Sequence, residues 1–241
     1  MSTNYEDMRK KILDETKQKI KESTNEDVMI INAINNIEEL EKSFNTITGR
    51  LREWFLITNP ELERKIQDNQ RFTEIILTQK YSKSEMGTPL KQKDMEAVVS
   101  LAMIVQGIIK TKEFLTTYLE DTMNDYCKNI LALAGTTIGA KLIREAGSLK
   151  RLASLQSGTI QLLGAEKALF RHIKTKARPP KHGYIVNHPV VSNAQQSEKG
   201  KAARALADKL STAARLDYFK GEFLGHKYYE ELKNKYNKKS K

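Results

Sequence analysis

The sequence predicts an all-α protein: a long-helix, coiled-coil-like domain over residues 1–133, then a compact helical domain over residues 134–241. Three observations carry this expectation. Apolar residues recur at steps of three and four over two long stretches, the spacing of one helix face. Glycine becomes frequent only after Leu133, where Gly135, Gly139, Gly147, Gly158 and Gly164 punctuate short segments rich in Ala, Thr, Ser and Leu. Charge changes at about the same place. Residues 1–140 hold 19 Lys+Arg against 22 Asp+Glu, and residues 141–241 hold 22 against 8, so the net +11 is the sum of −3 in the first part and +14 in the second.

Taken in order, Tyr5 to Glu22 is highly charged, with few apolar positions (Met8, Ile12, Leu13, Ile20), and predicts a surface helix or a frayed leader. From Val28, the residues Ile31, Ile34, Ile37, Leu40, Phe44, Ile47, Leu51 and Trp54 share one face of a long helix. Asn59-Pro60 joins an N-cap residue to a proline at the first helical position. It therefore opens a shorter helix carrying Leu62, Ile66, Phe72, Ile75 and Ile76. The breakers from Ser84 to Pro89 precede a second long helix lined by Met95, Val98, Ala102, Val105, Ile109, Leu119, Met123, Tyr126, Ile130 and Leu133. Two long amphipathic helices with a shorter one between them suggest an antiparallel hairpin or coiled coil, its stripes forming either a core or a dimer seam.

A basic block beside a nearly neutral one is the pattern of a polyanion-binding module next to a scaffold, and nucleic acid is the commonest polyanion. The single cysteine, Cys127, excludes an intramolecular disulfide and a cysteine cluster for zinc. The four histidines, 172, 182, 188 and 226, lack metal-ligand spacing, so no metal is expected. No apolar run approaches the roughly 18 residues that cross a bilayer, and the polar start MSTNYEDMRKK has no signal-peptide core, so a cytoplasmic location is expected. GSLKR and GTIQLLG lack the Gly-Lys-Ser/Thr ending of a phosphate loop, and no nucleophile–base pair stands at usable spacing. Neither catalysis nor a cofactor is expected.

Candidate binding residues lie between Leu163 and Phe219. A helix over Ala165 to Ile173 places Lys167, Arg171 and Lys174 along one side, with Leu169 and Ile173 pointing elsewhere, which predicts a basic ridge beside a buried face. Over Gly200 to Phe219, Lys201, Arg204, Ser211 and Arg215 form a stripe opposite Ala202, Leu206, Leu210 and Ala213, and Lys209 adds a further cation. Between these helices Pro179-Pro180, Gly183 and Pro189 predict an ordered, non-helical loop bearing Arg178, Lys181, His182, Tyr184, Asn187 and His188. Lys and Arg suit phosphates, whereas His and Tyr planes stack on bases splayed out of an RNA helix.

GAEKALFRH (164–172), PPKHGYIVNHP (179–189) and GKAARALADKLSTAARLDYF (200–219) resemble the Nop domain of archaeal box C/D ribonucleoproteins, a family that includes two eukaryotic nucleolar proteins and a spliceosomal relative. LREWF and PEL at 51–62, DMEAV at 94–98 and NILALAGTTIGAKLIREAGSLKRLASL at 129–155 extend the resemblance from about Val28 to Tyr236. It implies a coiled-coil domain followed by a Nop RNA-binding domain with a basic C-terminal tail. It also implies docking on a kink-turn RNA already held by a small ribosomal-type kink-turn-binding protein, linked to guide-directed 2′-O-methylation in an archaeal-type cell. On this resemblance Lys167, Arg171, His188, Lys201, Arg204, Lys209 and Arg215 are candidate RNA contacts, with Lys174, Arg178 and Lys181 beside them.

Two departures qualify the implied partners. Archaeal members usually begin with an α/β domain that binds fibrillarin, and no strand-helix alternation precedes residue 28 here, so the chain is expected to be a fragment or a short form, and fibrillarin an open question. The segment between PEL and DMEAV is short for a dimerising coiled-coil tip, which leaves homodimerisation open too. NAQQSE stands at 193–198, where the resemblance to archaeal members leads one to expect Trp and Arg. The rival to an RNA scaffold is a protein-interaction module in which the long helices bind partner helices and the basic domain only aids solubility.

Overall fold

The computed structural model describes residues 2–23, 25–81 and 84–236. Among them it contains thirteen α-helices, one 3₁₀ helix and no strand. The helices are α1 (Ser2–Ser23), α2 (Glu26–Leu56), α3 (Pro60–Lys65), α4 (Asn69–Thr78), α5 (Gln92–Tyr126), α6 (Lys128–Ala134), α7 (Thr136–Ala146), α8 (Leu149–Ser154), α9 (Ser157–Leu162), α10 (Glu166–Thr175), α11 (Pro189–Ser192), α12 (Lys199–Tyr218) and α13 (Gly225–Tyr236), with the 3₁₀ turn over Tyr184–Asn187. The side chain of Ile20 and the basic tail beyond Tyr236 lie outside the described residues.

Backbone proximity groups the chain into two units, Asn35–Tyr118 and a larger one made of Met1–Ile34 with Leu119–Lys241. The change of composition near Leu133 therefore falls inside the larger unit. It marks where helices shorten, whereas α2 and α5 each contribute one end to each unit. Reading along the chain detects the first kind of change; only packing reveals the second.

In the smaller unit, Leu51 and Phe55 of α2 bury against Phe72 and Ile76 of α4 and Val98, Ala102 and Val105 of α5. Glu41 pairs with Lys112 at 2.7 Å. Early α2 meets late α5 and late α2 meets early α5, so the two helices run antiparallel. Asn59 caps α3 by accepting from the Leu62 amide at 2.9 Å, as the Asn-Pro step predicts. The helix does not continue to Ile76, however. Ile66 turns extended and Asp68 opens α4 by accepting from the Arg71 amide at 2.6 Å. Periodicity ran the two helices together because a second cap so soon after the first is a weak signal. Arg52 braces the break: Nε donates to Asn69 Oδ1 at 2.8 Å, Nη2 to the Gln67 carbonyl at 2.9 Å, and the guanidinium carbon lies 4.3 Å from the Phe72 ring centroid.

In the larger unit α12 is the central element, packing against α6, α8, α9, α11 and α13. Ala202, Ala203, Ala207, Ala213 and Ala214 are buried along it with Leu206 and Leu210, and their small side chains let several helices approach one backbone. Its C-terminal end carries a buried polar node. Asp217 accepts from the Asn129 and Ile130 amides (3.0 and 2.8 Å) and from Asn129 Nδ2 (2.8 Å), while Asn129 Oδ1 accepts from the Leu224 and Gly225 amides. Two side chains thus satisfy the buried amides at the starts of α6 and α13 that have no partner within their own helix. Burial raises the Asp217 pKa, and these donors hold it back. Asp27 does similar work at the start of α8, accepting from the Leu149 amide at 2.8 Å. α1 leaves Tyr5, Met8, Ile12 and Leu13 exposed, as a surface helix would.

Candidate nucleic-acid interface

The loop from Lys174 onward is fixed by two close approaches. Gly164 holds φ +87°, and a Cβ there would stand 2.5 Å from the Tyr184 ring, so only glycine fits beneath that ring. A Cβ on Gly183 would overlap the Leu163 carbonyl, which instead accepts the Tyr184 amide at 2.9 Å while the Gly183 amide donates to the Gln161 carbonyl at 2.8 Å. Tyr184 Oη accepts from Arg144 at 2.9 Å and donates to Glu145 at 3.1 Å. The loop is ordered, as expected, but it is not free of helix. Tyr184–Asn187 forms a 3₁₀ turn, and Pro189 starts α11 at its first position, where a missing N–H costs nothing.

His188 corrects the sequence-based expectation most sharply. It is 2% exposed, its Nε2 donates to the Leu133 carbonyl at 2.8 Å, and its Nδ1 accepts from the Val190 amide at 3.3 Å as the cap of α11. Burial lowers its pKa, against a smaller opposing effect of the Leu133 bond. A neutral, doubly bonded, buried imidazole tethers α11 to α6 and presents no face for a base. His182, six residues earlier, is partly exposed and its Nδ1 has no hydrogen-bond partner. That nitrogen is itself buried, so of the two rings only the partly exposed part of His182 reaches the surface.

The cations divide into three groups. Lys167, Arg171 and Lys174 are exposed on α10, with Arg178 exposed just beyond it, and none of them pairs with a carboxylate of the described residues. Lys181, Lys201 and Arg204, also exposed, converge on a groove of 1080 Å³ that Ser157, Gly158, Gln161, Asp208 and Tyr236 help to line. Lys209 and Arg215 are engaged within the protein. Lys209 pairs with Glu231 at 2.8 Å and lies 4.2 Å from the Tyr228 ring centroid, joining α12 to α13, while Arg215 Nε donates to the Ala153 carbonyl at 3.2 Å. Ser211 belongs to the buried side of α12, with its hydroxyl donating to the Leu155 carbonyl at 3.3 Å.

The ridge on α10 lacks the buried face that its spacing predicts. No residue of α10 is buried, and Phe170 and Ile173 are 62% and 66% exposed among the cations. A single turn of sequence does not tell an apolar residue that meets the core from one that meets a partner. Among the described residues no group of three or more His, Cys, Asp and Glu could hold a metal ion, and no helix is long and apolar enough to cross a membrane.

The profile of a family named Nop, described as "snoRNA binding domain, fibrillarin", matches residues 36–85 and 73–238. A NOP5 family protein of Methanocaldococcus jannaschii is 35% identical over 271 residues, covering 98% of this chain and 65% of that protein. Nucleolar protein 58 of Schizosaccharomyces pombe is 37% identical over 215 residues, covering 79% of this chain and 42% of that protein. The chain thus spans less than two thirds of the length of these relatives. The structure is similar to a solved chain from a fibrillarin/Nop5p complex, with a TM-score of 0.59 and 26% identity over 96% of this chain and 77% of that one.

Proposed function

This chain belongs to the Nop family, and we propose that it is a non-catalytic RNA-binding scaffold of a box C/D-type ribonucleoprotein. It seats on a kink-turn RNA together with a small ribosomal-type kink-turn-binding protein, and so takes part in guide-directed RNA 2′-O-methylation. The observation that supports this best is the set of exposed, unpaired cations from α10 to α12, with Lys181, Lys201 and Arg204 gathered on one groove. Cations without internal partners keep their charge for phosphates. Phe170 and Ile173, exposed between Lys167, Arg171 and Lys174, give the same helix apolar surface for a protein partner. A helix with both kinds of surface suits a composite of RNA and protein better than either alone. His182, whose ring is partly exposed in the loop between the cation-bearing helices, is the proposed base-facing residue. The archaeal relative favours the cytoplasm of an archaeal-type cell as the setting.

The test is a gel-shift titration of the chain on a box C/D kink-turn RNA with and without the kink-turn-binding protein. A supershift that appears only when both are present supports the proposal; no supershift at moderate salt refutes it.

A further inference from the structure

We propose that the groove lined by Lys181, Lys201 and Arg204 seats an unpaired guanine nucleotide, the cations holding its phosphates and Asp208 reading its Watson–Crick edge. The inference rests on the RNA-binding function proposed above and adds base selectivity to it. Asp208 lies one helical turn beyond Arg204 on α12, is exposed, and lines the same groove as the three cations. Its carboxylate forms no ion pair with any of them, and the bond at this residue is the backbone carbonyl accepting the Thr212 hydroxyl at 3.2 Å. A carboxylate beside phosphate-binding cations opposes a second anion, so a surface for phosphates alone gains nothing from it.

An ionised carboxylate only accepts hydrogen bonds, so the group it favours is a donor. Guanine is the one RNA base whose Watson–Crick edge offers two adjacent donors, N1–H and N2–H₂, matched to the two oxygens of a carboxylate. That edge is free only when the base is unpaired, the state in which proteins usually read RNA sequence. Gln161 adds to the acceptor character of the wall. Its Nε2 donates to the Lys181 carbonyl at 2.8 Å, which anchors the lysine and leaves the amide oxygen as an acceptor. Space is also suitable. Gly158 and Gly200 have open space where a Cβ would stand, and 1080 Å³ is slightly above the range of about 300 to 1,000 Å³ common for ligand sites, ample for one nucleotide.

Fluorescence anisotropy of the full chain with short oligouridylates carrying one central guanine, adenine or cytosine, or none, tests this. The guanine RNA is expected to bind about tenfold more tightly than the adenine RNA, the discrimination typical of a bidentate base contact. Asp208→Asn and Asp208→Ala are expected to abolish that preference, whereas Arg204→Gln lowers affinity for every RNA and keeps it. Binding without a guanine preference, or a preference that survives Asp208→Asn, overturns this inference and leaves the RNA-binding function standing. Failure of every oligouridylate to bind overturns this inference, and failure of the kink-turn RNA to bind in the presence of its clamp protein as well overturns both.

Discussion

At the scale of single residues, burial and hydrogen-bond partners decide which polar groups serve the fold and which serve a ligand. His188 shows the first. Replacing it with Ala leaves the Leu133 carbonyl and the Val190 amide without their partner, and is expected to cost about 2 kcal/mol of stability, measured by urea unfolding. Because its folded pKa lies below the ordinary 6.5, the unfolded chain takes up the proton first. Its contribution is therefore present above about pH 6.5 and lost as pH falls through the lower folded value. His188→Gln is expected to flatten that acid-side loss; an unchanged pH profile contradicts the role assigned here. Asp217→Ala strands the Asn129 and Ile130 amides in a buried site and is expected to destabilise by about 3 kcal/mol. The sequence made His188 attractive because it stands in a basic loop before a proline, and nothing in that context reveals burial. Asp208, by contrast, was hidden among the Lys and Arg around it.

At the scale of elements, the long helices, the Asn59 cap and the alanine face of α12 were legible because each rests on periodicity or on a local capping rule. The Asp68 cap and the helical turns at 184–192 were not, since each depends on what the neighbouring backbone does. Asp68→Ala is expected to cost about 1 kcal/mol, measured by thermal unfolding. For α10 the expectation inverts the usual rule for apolar residues. Phe170→Ala and Ile173→Ala are expected to change stability by less than about 0.5 kcal/mol, because both side chains are exposed. The same changes are expected to weaken docking on the RNA-bound kink-turn-binding protein, which pull-down against the preassembled RNA–protein complex checks. Destabilisation instead would return these residues to the core.

At the scale of the whole molecule, an inserted smaller unit replaces the linear order of domains suggested by composition. Asp27 and Leu149, 122 positions apart, meet in the larger unit, so removing the chain up to residue 130 would damage the basic unit itself. Replacing Asn35–Tyr118 with a flexible linker is the cleaner separation, and RNA affinity is expected to survive it. The cations proposed to face RNA stand out in the sequence as a basic stretch; which of them are unpaired is decided by carboxylates and carbonyls distant in sequence, such as Glu231 for Lys209 and Ala153 for Arg215. The central claim is that the unpaired cations hold phosphates. The measurement that tests it most directly is the salt dependence of binding to a kink-turn RNA in the presence of its clamp protein, for the native chain and for Lys201→Gln and Arg204→Gln. Each substitution is expected to reduce the slope of log affinity against log salt by roughly 0.7 to 0.9. Lys209→Gln, already paired with Glu231, is expected to change the slope little. Slopes unchanged by Lys201→Gln and Arg204→Gln would contradict the account.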